Sequence, residues 1–340
     1  AANTNWYGIR LYYNDIEIID GNIVHSFAPT VTNPYGMYLY YVNNTIANAL
    51  VSNNEVIITT SSTYYGMYAN YSNLSIINNS VLVKGTGAGR ALYIPSSANS
   101  YDVYNNVLMT MAAAGAYPIY LGATTYLGTS WFIDYNNYYT NGTYIGYAGG
   151  NRNTLALWKG AVSTDINSVN IYPQFLDESL TLTMRLYKNT GLTCPINGSV
   201  LYDINANART STTSMGAYEF TPIAHNTLVS SFVRPTASIS SPGDTLHVEV
   251  KIKNKSDSTL TGVFVNWSVN NIAQTTYNWS GSLAPGDSTT VYLGWVLAVS
   301  RANKIKVYTS QPNGFADQFP EDDTLTKVVT GCYSTLSGTY

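Results

Sequence analysis

The sequence predicts an all-β protein in two parts: a right-handed parallel β-helix solenoid over residues 1–220, then an Ig-like antiparallel β-sandwich over residues 228–330. Three observations support this prediction. A motif rich in tyrosine and asparagine recurs in the first part, apolar and polar residues alternate strictly in the second, and 26 of the 31 tyrosines precede position 221. Short strands bounded by turn residues account for both patterns, because neither part shows a sustained helical period.

The first part repeats every 26 to 30 residues, roughly the length of one β-helix coil with three short strands and three corners. One coil cannot bury its own apolar face, so coils stack around a shared core. A right-handed winding is expected because crossovers between parallel strands favour that hand. The repeated motif stands at Tyr7-Gly8-Ile9, Tyr35-Gly36-Met37 and Tyr65-Gly66-Met67, with looser forms at Ala91-Leu92-Tyr93 and Pro118-Ile119-Tyr120.

An asparagine-rich corner and a short apolar run follow each motif. Asparagine tolerates the left-handed backbone of tight corners, and stacked side-chain amides can hydrogen-bond from one coil to the next. We therefore predict a structural asparagine ladder, with a ligand-binding row of amides as the alternative. The predicted ladder residues are Asn53, Asn78, Asn105 and Asn136.

The tyrosine rows allow two interpretations. Stacked tyrosines can extend the core and its rim, or an exposed aromatic face can bind sugar rings or a neighbouring subunit.

The pattern changes towards the end of the first part. Residues 154–159 predict a short helix that caps the solenoid, since solenoids need atypical terminal repeats. Two closing motifs follow, Asp203-Ile204-Asn205-Ala206-Asn207-Ala208-Arg209 and Met215-Gly216-Ala217-Tyr218-Glu219-Phe220. Together they resemble the C-terminal signature of secreted parallel β-helix proteins of the pectate-lyase-like superfamily, a resemblance that covers residues 1–220.

The second part begins with a half-buried strand, in which Leu246, Val248, Val250 and Ile252 alternate with polar residues. Further strands are expected near 262–269, 289–297, 303–309 and 324–330, a spacing typical of an Ig-like sandwich. Four motifs recur at the expected order and spacing: Ser241-Pro242-Gly243-Asp244-Thr245-Leu246, Lys253-Asn254, Leu283-Ala284-Pro285-Gly286-Asp287-Ser288 and Pro320-Glu321-Asp322-Asp323. Together they resemble the cell-adhesion-related bacterial family called CARDB, which implies an extracellular spacer or adhesion module without catalytic residues.

Residues 331–340 are similar to the opening strand of another β-helix unit, so they are expected to start a following repeat. The whole arrangement resembles the giant surface proteins that gram-negative bacteria export by type IX secretion. This resemblance implies a secreted, extracellular or cell-surface location, and a structural or adhesive role. The expected partners are other copies or neighbouring repeats of the same protein, or surface glycans.

Two kinds of covalent modification are candidates. An aspartate precedes a hydroxyl residue in four places, which resembles the O-glycosylation sequon of some of these bacteria, although turn chemistry explains the same pattern. The candidate acceptors are Thr245, Ser258, Ser288 and Thr324. The cysteines, Cys194 and Cys332, either form a disulfide or remain unpaired thiols.

Composition limits the class of partner. Charged residues make up 10% of the chain, against about 25% in ordinary domains, and the net charge is -3. Neither value favours a nucleic-acid partner or an anionic membrane. No apolar run approaches the roughly 20 residues that span a bilayer.

Catalysis is not expected from the pattern of charges. Polysaccharide lyases and hydrolases need clustered carboxylates in one groove, and the alignment of the corners places no two carboxylates in one column on adjacent coils. His25 is interpreted as a polar surface residue, and no metal-ligand spacing of His or Cys occurs. No cofactor is expected, although Glu321, Asp322 and Asp323 offer a weak calcium site. The alternative function is a carbohydrate-active or glycan-binding β-helix with an accessory sandwich.

Overall fold

A computed structural model describes residues 5–27, 32–95, 98–112, 115–177, 179–299 and 302–331. The chain divides into two compact units, Ala1–Phe220 and Thr221–Tyr340. The fold is all-β, as predicted. In the described residues the helical elements are α1 (Leu155–Ala161) and two 3-10 turns, Pro312–Gly314 and Pro320–Asp322, and none of these helices has the length and apolar character needed to cross a membrane.

The first unit is a parallel β-solenoid of about five coils. Three sheets run along it, and each strand pairs with its counterpart in the next coil. Sheet A comprises β1 (Asn5–Asn14), β4 (Thr32–Val42), β7 (Tyr64–Asn70), β10 (Gly89–Ile94), β13 (Tyr117–Leu121), β16 (Gly146–Ala148) and the antiparallel β17 (Asn151–Arg152). Sheet B comprises β2 (Ile18–Asp20), β5 (Ala49–Ser52), β8 (Leu74–Ile77), β11 (Tyr101–Tyr104) and β14 (Trp131–Asp134). Sheet C comprises β3 (Ile23–Ser26), β6 (Glu55–Thr60), β9 (Ser80–Gly85), β12 (Val107–Ala112) and β15 (Asn137–Thr140).

The solenoid core consists of apolar residues stacked in register. Met37, Met67 and Leu92 pair in successive strands of sheet A, and each is fully buried. Helix α1 covers the last coil, as the sequence predicts. Thr154 caps the helix by accepting a hydrogen bond from the Leu157 backbone N–H. The buried Trp158 indole of the helix packs so closely on Gly146 that a Cβ added there would lie 2.5 Å from it.

The central strands of sheet C are buried on both faces, whereas Ile23 of β3 is 61% exposed. The inner face of the sheet lines the core, and a segment with four short strands covers Ile57, Leu82 and Met109 on its outer face. This explains the continuous apolar runs of β6, β9 and β12, since a strand buried on both faces has no polar side. The covering strands are β18 (Gln174–Phe175), β19 (Leu186–Lys188), β20 (Thr193–Pro195) and β21 (Thr212–Ser214).

The second unit contains two antiparallel sheets around one core, consistent with an Ig-like sandwich. The smaller sheet contains β22 (Thr227–Arg234), β24 (Thr245–Asn254) and β28 (Ser288–Leu297). The larger contains β23 (Ile239–Ser240), β25 (Leu260–Val269), β26 (Ile272–Ala273), β27 (Tyr277–Leu283), β29 (Ala302–Ser310) and β30 (Thr324–Gly331). The short β23–β30 pair is parallel. The sequence did not predict β27, because most of its side chains are exposed and little alternation remains.

Candidate functional site: the tyrosine face and the asparagine ladder

The outer surface of sheet A carries continuous columns of tyrosine, which we call the tyrosine face. Most of these side chains are half-buried. Strand pairing sets the columns, because residues in register on neighbouring coils lie one strand spacing apart. One column contains Tyr7, Tyr35, Tyr65, Arg90 and Tyr117, and the next contains Arg10, Tyr38, Tyr68, Tyr93, Tyr120 and Tyr147.

In the first three coils the rings within a column lie face to face. The centroids of Tyr35 and Tyr65 are 4.9 Å apart at 9°, and those of Tyr38 and Tyr68 are 5.0 Å apart at 10°. These distances match the spacing of about 4.8 Å between strands. Farther along, Tyr93 meets its neighbours edge-on, at 64° to Tyr68 and 74° to Tyr120. Where the rings stack they cover each other's faces, so that part of the column presents ring edges and phenol oxygens to solvent. This geometry favours the first interpretation of the tyrosine rows, since sugar stacking needs an open ring face.

The glycine of the repeated motif places two tyrosines on this surface. At Gly36 an added Cβ would lie 2.3 Å from Val56 Cγ1 and 2.6 Å from the Gly66 carbonyl oxygen. The bare backbone at Gly36 therefore faces the core beside buried Met37, and the side chains on either side of this pair, Tyr35 and Tyr38, lie on the outer surface. In β10 the fully buried Ala91 takes the equivalent position.

The tyrosine face is uncharged apart from two arginines. The Arg90 guanidinium carbon lies 4.8 Å from the Tyr120 ring centroid and 5.0 Å from that of Tyr93, within cation–π range. Burial raises the pKa of Tyr68 to about 12. Its phenol therefore stays protonated at physiological pH and can both donate and accept hydrogen bonds.

The asparagine ladder runs along the corners between sheets B and C. The side-chain amide of Asn54 donates to Asn79 Oδ1 at 2.9 Å, Asn79 donates to Asn106 at 3.0 Å, and Asn106 donates to Asn136 at 2.9 Å. Each accepting oxygen also receives the backbone N–H of the preceding ladder residue. The first member is Asn22, which donates to Asn54 Oδ1 at 2.9 Å.

The ladder thus includes Asn136 as predicted, but elsewhere it lies one residue after Asn53, Asn78 and Asn105. These three residues adopt φ values of 51°, 55° and 60°. They therefore provide the left-handed corner that the sequence argument assigned to the ladder residues themselves. Their side chains turn outward: Asn78 donates to the carbonyls of Ser214 and Gly216, and Asn105 donates to that of Pro195.

The closing motifs of the first unit fasten the covering segment to these corners. Arg209 is 6% exposed and donates to Asn53 Oδ1 at 2.8 Å and to the Gly216 carbonyl at 2.9 Å. Its Nη1 lies 3.4 Å from Glu219 Oε2. The two closing motifs therefore have a structural role in this chain, because Arg209 of the first contacts Glu219 of the second.

His25 differs from its sequence interpretation, because it has a partner on the next coil. Its Nε2 lies 2.7 Å from Oε1 of Glu55, which is fully buried. The other oxygen of Glu55 accepts the Met184 backbone N–H at 2.6 Å. Alignment of the two coils could have revealed this pair. It places Glu55 beside Ile23 and His25 beside Ile57, so Glu55 and His25 lie two positions apart on neighbouring strands.

Carboxylates on adjacent coils occupy different columns, as expected. Asp102 pairs with Phe132 and Asp134 pairs with Tyr104, which puts the two acids two positions apart. Asp102 accepts hydrogen bonds from Ser75 and Asn48 at 2.9 and 3.0 Å. The fully buried Asp165 accepts hydrogen bonds from Tyr138 at 2.7 Å and from the Trp158 indole at 2.6 Å. Burial raises the pKa of Asp165.

The predicted modification residues occupy different settings. Thr245, Ser288 and Thr324 are exposed, and each is the first residue of a strand. Ser258 is half-buried and its hydroxyl donates to the Ala224 carbonyl at 2.8 Å. Cys194 is buried and has no disulfide partner among the described residues, and burial raises the pKa of its thiol to about 12. Cys332 and the predicted repeat start at 332–340 lie outside the described residues.

The acidic loop of the sandwich contains a second buried carboxylate. Asp323 is 7% exposed, and burial, followed by the negative charge of Asp317, raises its pKa to about 8. Asp317 accepts the backbone N–H groups of Thr227 and Phe319 at 3.0 and 2.8 Å. Among the described residues no group of three or more His, Cys, Asp or Glu side chains has a metal-binding arrangement.

No protein-family model and no curated protein matches the chain. A domain from Methanosarcina acetivorans, named as a candidate cell surface protein, is 19% identical, covers 34% of this chain and 100% of its own, and gives a TM-score of 0.27. The CARDB domain of a Pyrococcus furiosus protein, solved by NMR, is 16% identical, with 33% and 100% covered and a TM-score of 0.28. A crystal structure of that domain with di-metal ions is 15% identical, with 33% and 94% covered and a TM-score of 0.27. Likeness this distant carries no functional argument.

Proposed function

We propose that the chain is a structural and adhesive module of a large extracellular repeat protein, with the solenoid as its stiff element and the sandwich as a spacer. The observation that carries this proposal is the continuous stacking along the solenoid. Tyrosine columns on sheet A and the asparagine ladder on the opposite corners both join every coil to the next. Repetitive contacts of this kind make a rod whose bending would break several interactions at once.

The chemistry of the surface supports an adhesive role. The tyrosine face offers a flat row of neutral phenols, each able to donate and accept a hydrogen bond. With 10% charged residues in the chain, contacts made through this surface would depend weakly on salt. The proposal includes a secreted or cell-surface location, export by type IX secretion, and other copies or neighbouring repeats as partners.

Electron microscopy of the protein on its native cells tests the structural proposal. Extended filaments or strings of rods are the expected result, and compact separate particles would overturn it. A matched pair of variants tests the adhesive surface. Tyr38→Ala with Tyr68→Ala is expected to reduce attachment of the purified chain to its own cells, whereas Tyr202→Ala, at a 59% exposed tyrosine outside the tyrosine face, should leave attachment unchanged. Equal attachment of all three proteins would refute the assignment to the tyrosine face.

The alternative, a polysaccharide lyase or hydrolase, has a separate test. Release of reducing or unsaturated sugar ends from a polysaccharide panel would establish it. The carboxylates described above instead accept hydrogen bonds that join coils or fix loops, which favours the structural proposal.

A further inference from the structure

A second surface, on the smaller sheet of the sandwich, has the features of a ligand site. A cavity of about 430 Å³ opens between the end of β22 and the start of β24. Sites for small molecules commonly have volumes of roughly 300 to 1,000 Å³. Its polar lining residues are Arg234, Thr236, Ser240, Asp244, Thr245 and His247.

The lining combines donors and acceptors of opposite charge. Arg234 provides guanidinium donors and Asp244 provides carboxylate acceptors, while the threonine and serine hydroxyls can do both. The Arg234 Nε lies 3.4 Å from Glu249 Oε2, so this guanidinium is already paired with a carboxylate and the lining has no unpaired positive charge that would favour an anion. A neutral molecule with many hydroxyl groups would satisfy this set best.

Ser240 provides an independent observation that points to a polar ligand. It is 7% exposed, lines the cavity, and its Oγ has no hydrogen-bond partner within the described residues. A buried hydroxyl without a partner costs about 1 to 3 kcal/mol, and a ligand hydroxyl that entered the cavity would recover that cost.

An open aromatic platform adjoins the cavity. Trp295 is 58% exposed and pairs across the sheet with His247, a cavity residue. Among the described residues no other aromatic ring stacks on the Trp295 indole, unlike the tyrosines of the tyrosine face. Tyr292 stands beside it, with its phenol oxygen 2.7 Å from His247 Nδ1.

A bulge creates this platform. Gly294 has a φ of 141°, and the strand register shifts at this point. Leu293 and Gly294 both turn inward, so Tyr292 and Trp295 project from the same outer face although three positions separate them. Bulges commonly re-aim side chains in this way beside binding sites.

We infer that the cavity and the Trp295 platform together form a binding site for a neutral carbohydrate. A sugar ring stacks on the Trp295 indole, and hydroxyl groups of the same saccharide chain enter the adjoining cavity and hydrogen-bond to its polar lining. The pairing of an open aromatic face with convergent polar groups selects a sugar over a wholly apolar ligand. This site lies within the sandwich and is independent of the tyrosine face.

The test uses the whole chain, made in a host that does not glycosylate Thr245. Affinity electrophoresis in gels containing xylan, mannan, β-glucan or starch measures retention by each neutral polysaccharide. We expect retention by at least one of them. Trp295→Ala should weaken it about ten-fold or more, a change of about 1.4 kcal/mol, and Asp244→Asn, which keeps an acceptor for the Ser241 N–H, should weaken it less.

The matched control is Tyr308→Ala, which removes a 38% exposed aromatic ring from the other sheet of the sandwich. This variant should bind like the parent chain. Absence of retention by all four polysaccharides would overturn the inference, as would unchanged retention of Trp295→Ala. Equal losses in Trp295→Ala and Tyr308→Ala would also overturn it, because the effect would not belong to this site.

Discussion

The ladder assignment leads to a sharp comparison between two adjacent asparagines. Asn78 carries the left-handed corner, whereas Asn79 carries the ladder and is fully buried. Replacing Asn79 with alanine removes the acceptor of two hydrogen bonds from Asn54, at 3.0 and 2.9 Å. It also removes the donor to the Val51 carbonyl at 2.9 Å and to Asn106 Oδ1 at 3.0 Å. Asn78→Gly is the matched control, because glycine keeps the positive φ.

The expected losses of folding free energy differ several-fold between the two variants. In Asn79→Ala the buried Asn54 N–H is left without a partner, which costs about 1 to 3 kcal/mol, and each further bond lost costs about 1 kcal/mol. With three such bonds lost, the total is about 4 to 6 kcal/mol. Asn78→Gly loses bonds of 3.2 and 3.4 Å to Ser214 and Gly216, so about 1 kcal/mol is expected.

Hydrogen exchange measured by mass spectrometry separates the two variants, because it reports on each coil separately and does not require a single unfolding transition. Amides of β8, β9 and β11 should exchange at least about 100-fold faster in Asn79→Ala, and about five-fold faster in Asn78→Gly. Peptides from the sandwich serve as the internal reference. If Asn78→Gly costs as much as Asn79→Ala, the one-residue assignment of the ladder is wrong.

Three further predictions follow from buried groups. Because the folded pKa of Asp323 is about 8 and that of an unfolded aspartate about 3.9, its contribution to stability is full below pH 4 and is lost as the pH rises towards 8. Asp323→Asn should flatten the fall in sandwich Tm between pH 5 and 9, and parallel Tm profiles would contradict this. Gly36→Ala should lower the solenoid Tm through overpacking of about 1 to 3 kcal/mol against Val56, whereas an unchanged Tm would show that the coil adjusts. Cys194 should resist iodoacetamide at pH 8 until the chain is unfolded, and rapid labelling of the native protein, read by mass spectrometry, would refute its burial.

The sequence determined the architecture of both units. Repeats of Tyr-Gly-apolar motifs and Asn corners predicted stacked coils, because strand pairing and corner geometry are local properties that each repeat restates. The alternation at Leu246, Val248 and Val250 likewise predicted a half-buried strand, which β24 confirms.

Tertiary structure decided which neighbouring residue has which role. Asn78 and Asn79 are the same amino acid, and no local preference tells which one turns its amide along the solenoid axis. The choice depends on the φ of the corner and on the coil above it. In the same way, His25 and Glu55 meet because coil register joins residues 30 positions apart.

Tertiary structure also decided which faces of the solenoid are covered. The apolar run of β6 is explained by burial on both sides, but the sequence did not show that residues from Phe175 to Met215 supply the cover. The carbohydrate site proposed in the sandwich has the same origin. Arg234, Asp244 and Trp295 are far apart in sequence, and they meet because antiparallel pairing and one bulge bring their side chains to a common surface. A pattern in one chain records local backbone preferences, whereas sites depend on distances that exist after the strands have paired.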